Sequence, residues 1–172
     1  MKPSGSAVIA LCNPKSPTNV GAVLRACACF GHDQLVYTGT RFELADYYQT
    51  ATRNAGDKVN RRRVNNIAAI KEPHQQLVAV EFAVGATALP EFEHPEHAIY
   101  VFGPEDGSVD QATLDACDHV VFIPTLTSLN LGATVNVVLY DRIAKQPPMD
   151  KDDTDQLIKT SRDVNNRLKV RN

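Results

Sequence analysis

The sequence predicts an α/β protein: a mainly parallel sheet with helices on both faces. Three observations predict it. Short apolar runs of strand length alternate with longer stretches of helical periodicity. Most runs stop at a proline, a glycine or a polar cluster. The 172 residues, 43% of them hydrophobic, suffice for a sizeable core in one domain spanning the whole chain.

The elements follow in order. Residues 7–12 are an apolar run that reads as a buried strand, and Asn13-Pro14-Lys15-Ser16-Pro17-Thr18 reads as loop because of its two prolines. Thr18 or Asn19 is expected to cap a helix whose apolar face is Val20, Val23, Leu24 and Cys27, ending near Phe30-Gly31. Residues 34–38 predict a second strand, 42–52 a helix, and 53–66 a polar loop with a short strand. Residues 76–83, 98–102 and 119–123 predict three further strands. Ser108-Val109-Asp110-Gln111 reads as a capping box for a helix running to about Cys117. The apolar stretch 129–144 is long enough to be a helix, closed by Gln146-Pro147-Pro148. The core is expected over about 7–145. Leu157, Ile158, Ser161, Val164 and Leu168 then recur at helical spacing, predicting a last helix over about 153–168.

Net charge is only −2, but it is unevenly spread. Arg53, Lys58, Arg61, Arg62 and Arg63 stand against one Asp57, whereas residues 72–118 carry ten acidic residues and no Lys or Arg. A polyanion is repelled by the middle and drawn to the 53–63 stretch, where Arg61, Arg62 and Arg63 are the expected RNA contacts, and to the tail with Lys159, Arg162, Arg167, Lys169 and Arg171. No apolar run reaches membrane-span length, and the first residues lack the apolar centre of a signal peptide, so the chain reads as cytoplasmic. Cys12, Cys27, Cys29 and Cys117 show no zinc spacing and read as small buried hydrophobes. His94-Pro95-Glu96-His97 lies in a proline-containing loop, not on a helix, so no metal site is expected.

Three polar clusters fall where strands should end: Asn19-Val20-Gly21 with Arg25, Gly103-Pro104-Glu105-Asp106-Gly107, and Ser128-Leu129-Asn130-Leu131-Gly132. Ligands of open α/β sheets bind at such ends. Gly21 leaves room for a ligand, and Arg25, inside an apolar stretch, needs a partner, for which Glu105 is the expected acid. The Gly103–Gly107 segment is neither a P-loop nor a dinucleotide fingerprint, and its two acids would repel a phosphate. Ser128 sits in no nucleophile elbow, and Ser128 or Asn130 can cap the helix that follows. Taken singly, each cluster reads equally well as a cap, a turn or a site.

In order and spacing the triple resembles the signature of the SpoU/TrmH-type RNA ribose methyltransferases of the SPOUT superfamily. The matching residues are Asn19, Gly21 and Arg25; Gly103, Glu105 and Gly107; Ile123-Pro124 with Ser128-Leu129-Asn130; and Val138-Leu139-Tyr140-Asp141. The resemblance implies a deep trefoil knot in the C-terminal part and a homodimer. It implies S-adenosylmethionine as cofactor, held near Val80, Gly103, Ile123, Pro124, Ser128 and Leu129. It implies catalytic positions at Arg25, Asn19, Glu105, Ser128 and Asn130, and 2′-O-methylation of ribose in tRNA or rRNA. The departures are a short Pro124–Ser128 stretch, Gly107 one residue early, and Gly132 where serine is frequent. The competing readings are an RNA-binding or assembly protein without turnover, and a base methyltransferase.

Overall fold

The computed structural model describes residues 5–49, 55–161 and 170. The predicted alternation is present. Strands β1 (Ser6–Leu11), β2 (Gln34–Tyr37), β3 (Asn60–Arg63), β4 (Gln76–Val80), β5 (Thr87–Ala88), β6 (His97–Phe102) and β7 (His119–Phe122) form one sheet in the order β3-β2-β1-β6-β4-β7-β5. Every pairing is parallel. Helices α1 (Pro17–Cys29), α2 (Phe42–Tyr48), α3 (Gln111–Asp115), α4 (Leu131–Ala144) and α5 (Lys151–Ser161), with 3₁₀ turns at Ala55–Lys58, Ala68–Ile70 and Leu89–Glu91, complete the described elements. None of these helices is long and apolar enough to cross a membrane.

The central strands are apolar on both faces because both are covered. Ile9, Leu11, Tyr100 and Phe102 point to one side, where Val20, Val23 and Leu24 of α1 meet Val135, Val138 and Leu139 of α4. Ala10, Val36, Leu77, Ile99 and Val101 point to the other and pack with Ile67 and Val109. The edges are an arginine-bearing strand and a two-residue strand, both poor templates for further pairing.

Several boundaries differ from expectation. Helix α1 starts at Pro17, not after it: Ser16 is the cap, accepting from the Asn19 amide at 3.3 Å, and proline fits a first turn, whose N–H groups have no partner within the helix. Helix α3 is capped by Asp110 rather than Ser108; Gln111 donates forward to Asp115 instead of reaching back. Strand β5 was not expected. Cys29 is exposed, whereas Cys27 is buried and its thiol pushed up to about 12 by desolvation. Helix α5 buries none of its side chains, and Val164 and Leu168 lie outside the described residues, as does Arg53.

Candidate active site

The carboxyl ends of β4, β6 and β7 are neighbours in the sheet, so the loops leaving them meet. Between them lies a cavity of about 180 Å³. Val80 and Glu81 wall it from the β4 side, Gly103 and Glu105 from the β6 side, and Ile123, Ser128 and Leu129 from the β7 side. Phe82, Phe122 and Leu131 supply apolar surface, and no Lys or Arg among the described residues lines it. A methyl group built on Gly103 would lie 3.0 Å from the Val109 amide nitrogen and 3.2 Å from Glu81 Oε2, so glycine lets these groups close in. From the sequence, Ala79-Val80-Glu81 resembles the family's strand end, but Glu81 was assigned no role. Its Oε2 accepts from Val109 N at 2.9 Å and its Oε1 from Phe82 N at 2.9 Å, fixing both adjoining loops.

Glu105 joins the first two polar clusters. Its carboxylate accepts from Lys15 N (2.9 Å), Ser16 N (3.0 Å) and Asn19 Nδ2 (3.2 Å). Desolvation works against its ionisation. The amides of Lys15, of Glu105 itself and of Ser16, with the Asn19 side chain, outweigh it and hold the carboxyl below the usual range. Asp106, next in sequence, is gripped by both arms of Arg41 (2.9 and 3.1 Å) and by Lys15 Nζ (3.0 Å). Hydrogen bonds from Arg41 first and Lys15 second hold it well below the ordinary carboxylate range. Arg41 also donates to the Asn13 carbonyl, so the loops after β1, β2 and β6 are tied together. Lys15, Arg41 and Asp106 were not assigned a role from the sequence; the legible signal was two cations placed just after strand ends.

The third cluster meets the first through α4. A methyl group on Gly132 would lie 2.6 Å from Ala22 Cβ, which explains glycine where serine is frequent. Asn130 is the cap of α4, accepting from Ala133 N at 2.8 Å, and does not line the cavity. Pro124 does not line it either.

Two expectations are corrected. Arg25 is exposed, not enclosed in apolar surroundings, because position 25 falls on the outer face of α1 between the buried Leu24 and Ala26. Gly21, expected to admit a ligand, is buried in α1.

The basic stretch is divided by the strand's alternation. Arg61 pairs with Asp46 at 3.2 Å and Arg63 with Glu43 at 3.8 Å, both carboxylates from α2. Arg62 faces the other way and is exposed. His94, buried, stands between Tyr100 OH (2.6 Å) and Asp141 Oδ2 (2.9 Å), which explains the acid after Leu139-Tyr140: it clamps the 89–97 segment to α4.

A seven-stranded, all-parallel sheet with a cavity at the carboxyl ends of its central strands defines an α/β protein. More narrowly, residues 6–140 match the model of the SpoU rRNA Methylase family, and the chain belongs to that family. A relative in Mycobacterium ulcerans (strain Agy99), named an uncharacterised tRNA/rRNA methyltransferase, is 29% identical over 146 residues, covering 81% of this chain and 47% of its own length. The chain thus spans about half the length of the curated relatives it matches. Among solved structures, the AdoMet-bound rRNA methyltransferase from Sinorhizobium meliloti superposes with TM-score 0.72 at 19% identity, covering 86% of this chain and 60% of that one. A protein studied for the 2-OH methylation of C/U34 on tRNA superposes with TM-score 0.69 at 24% identity, covering 83% and 97%.

Proposed function

We propose that this chain is an S-adenosylmethionine-dependent methyltransferase acting on the ribose 2′-hydroxyl of tRNA or rRNA. The observation that carries the reading is one strand-end cavity lined by the second and third polar clusters and tied to the first through the Asn19–Glu105 hydrogen bond, in a chain of the SpoU rRNA Methylase family. The cofactor's chemistry fits the lining. Phe82, Phe122 and Leu129 offer apolar surface for a flat ring, and Glu81 and Glu105 favour a cation and disfavour a phosphate. Val80, Gly103, Ile123, Ser128 and Leu129 are the residues proposed to hold it, with Pro124 shaping the loop behind them. When bound, S-adenosylmethionine supplies a methyl group made electrophilic by its sulfonium.

The chain must then place a ribose hydroxyl and steady its oxygen as the proton leaves for solvent. Arg25 is the residue proposed for that work. A guanidinium has five donors and no acceptor, so it suits a phosphate and a developing alkoxide better than the role of base. Its exposure makes it reachable by RNA. Asn19 and Glu105 set the start of α1, and with it the position of Arg25. Ser128 stands on the opposite wall, and Asn130 fixes the start of α4.

The proposal includes the knotted C-terminal path and a homodimer. The first is supported by the passage of the chain from β7 through 123–130 into α4 against α1. The second is supported by exposed Leu126, Leu129, Val137 and Tyr140 beside the cavity loop and on α4. The catalytic unit is the stretch 7–145, working in the cytoplasm where its RNA substrates are made. Arg25→Ala is expected to abolish methylation of cellular RNA while calorimetry shows S-adenosylmethionine affinity unchanged within about threefold, since Arg25 does not line the cavity. Unchanged turnover in that variant would remove Arg25 from the mechanism.

A further inference from the structure

A second cavity, of about 310 Å³, opens over the other half of the sheet. It lies at the carboxyl ends of β1, β2 and β3, between the segment 65–68 and α3. We propose that it binds a nucleobase of the RNA substrate flanking the reacting nucleotide, with Arg62 taking an adjacent phosphate. This rests on the RNA methyltransferase reading above.

The lining chooses the ligand class. Thr38, Asn65, Asn66 and Thr113 supply neutral polar groups, Ile67 and Ala112 supply apolar surface, and no Lys or Arg among the described residues lines it. A phosphate therefore finds no counter-charge inside, whereas a planar ring with donors and acceptors on its edge finds both of its needs. Asp110 is already engaged, its oxygens accepting from Thr113 N (2.9 Å) and Thr113 Oγ1 (2.8 Å). Asn66 spends its carbonyl oxygen on Ala69 N at 3.2 Å and keeps its NH₂ group. Asn65, exposed, has no side-chain hydrogen bond among the described residues. The thiol of Cys12 is pushed up to about 12 by burial first and Asp110 second, so it is a neutral wall and not a nucleophile.

The position also fits. The two cavities share thin partitions. Glu81, in the first, bonds Val109 N, and the next residue, Asp110, lines the second. Cys12, in the second, donates its amide to the carbonyl of Phe102, in the first. From β2 to β4 is three strand steps, about 14 Å, within reach of neighbouring nucleotides of one splayed strand. Arg62 lies in register with Val36, whose side chain packs in the core cluster of Ile67 on this same face. It is exposed and makes no ion pair among the described residues, unlike Arg61 and Arg63.

The test is nuclear magnetic resonance on the isotope-labelled full chain saturated with S-adenosylhomocysteine. It is titrated with CMP, UMP, AMP and GMP, and with ribose 5-phosphate as the baseless control. At least one nucleotide is expected to shift the Asn65 side-chain amide and the Ala112 and Thr113 backbone signals, while ribose 5-phosphate does not. Asn65→Ala should weaken that binding about tenfold. Arg62→Gln should lower the salt slope of tRNA binding by about one, and Arg61→Gln should lower it less. Nucleotide shifts confined to the first cavity, or equal shifts with ribose 5-phosphate, overturn the base site. An unaltered slope in Arg62→Gln overturns the phosphate contact. Failure of S-adenosylhomocysteine itself to shift Gly103 and Ile123 counts instead against the methyltransferase reading.

Discussion

Glu105 shows how much of a site one carboxylate can organise. Three donors from the β1–α1 junction converge on it, so removing it leaves the Lys15 and Ser16 amides unpaired. Glu105→Ala is expected to cost about 1 kcal/mol, read by urea denaturation, because the site is only part-buried. Sequence reasoning could locate Glu105, since an acid between two glycines after an apolar run is unusual. It could not find the partners, because hydrogen bonds to backbone N–H groups leave no mark on residue type. His32 sets a pH window of its own. Burial first, and Arg142 second, push it down to about 4 from its ordinary 6.5. Between those values the unfolded chain takes up a proton that the folded one refuses, so stability rises with pH across the window and is lost on acidification. The loss should approach roughly 3 kcal/mol by pH 4. His32→Gln should flatten chemical denaturation midpoints between pH 4.5 and 6.5, and an unchanged pH slope would exonerate His32.

At the scale of elements, the crossing of α1 over α4 brings the first and third clusters together. Gly132 faces Ala22 there, and a methyl group would sit 2.6 Å from it. Gly132→Ala must push the helices apart, and is expected to cost about 1–3 kcal/mol in a denaturation experiment. The long elements were legible because periodicity and length agree: α1, α4 and the central strands were all expected within a few residues. Of the short ones, α3 was expected with a different cap and β5 was not expected. Helix α3 is five residues and β5 two, too brief for a period, and their ends are set by Asp110 and by pairing to β7. The basic run at 61–63 was legible as charge. Its division into two residues tied to α2 and one outward-facing residue follows from strand alternation and the sequence-distant Glu43 and Asp46.

For the whole molecule, the sheet order is what makes three separated clusters one place. Strands β1, β6, β4 and β7 are adjacent although they are not consecutive, and no local pattern in the chain contains that adjacency. The ordered triple of motifs supplied it through resemblance. The apolar side chains left exposed beside the cavity loop and on α4 argue for a second copy. Sedimentation should therefore give twice the 18.8 kDa chain mass, and Tyr140→Asp should shift it toward one. The central claim is methyl transfer to a ribose hydroxyl. Its most direct measurement is mass spectrometry of nucleosides from RNA of cells lacking the protein, incubated with purified protein and S-adenosylmethionine. The account predicts a new 2′-O-methylated nucleoside, absent with Arg25→Ala. A methyl group found on a base, or no methylated nucleoside at all from protein that binds the donor, would contradict it.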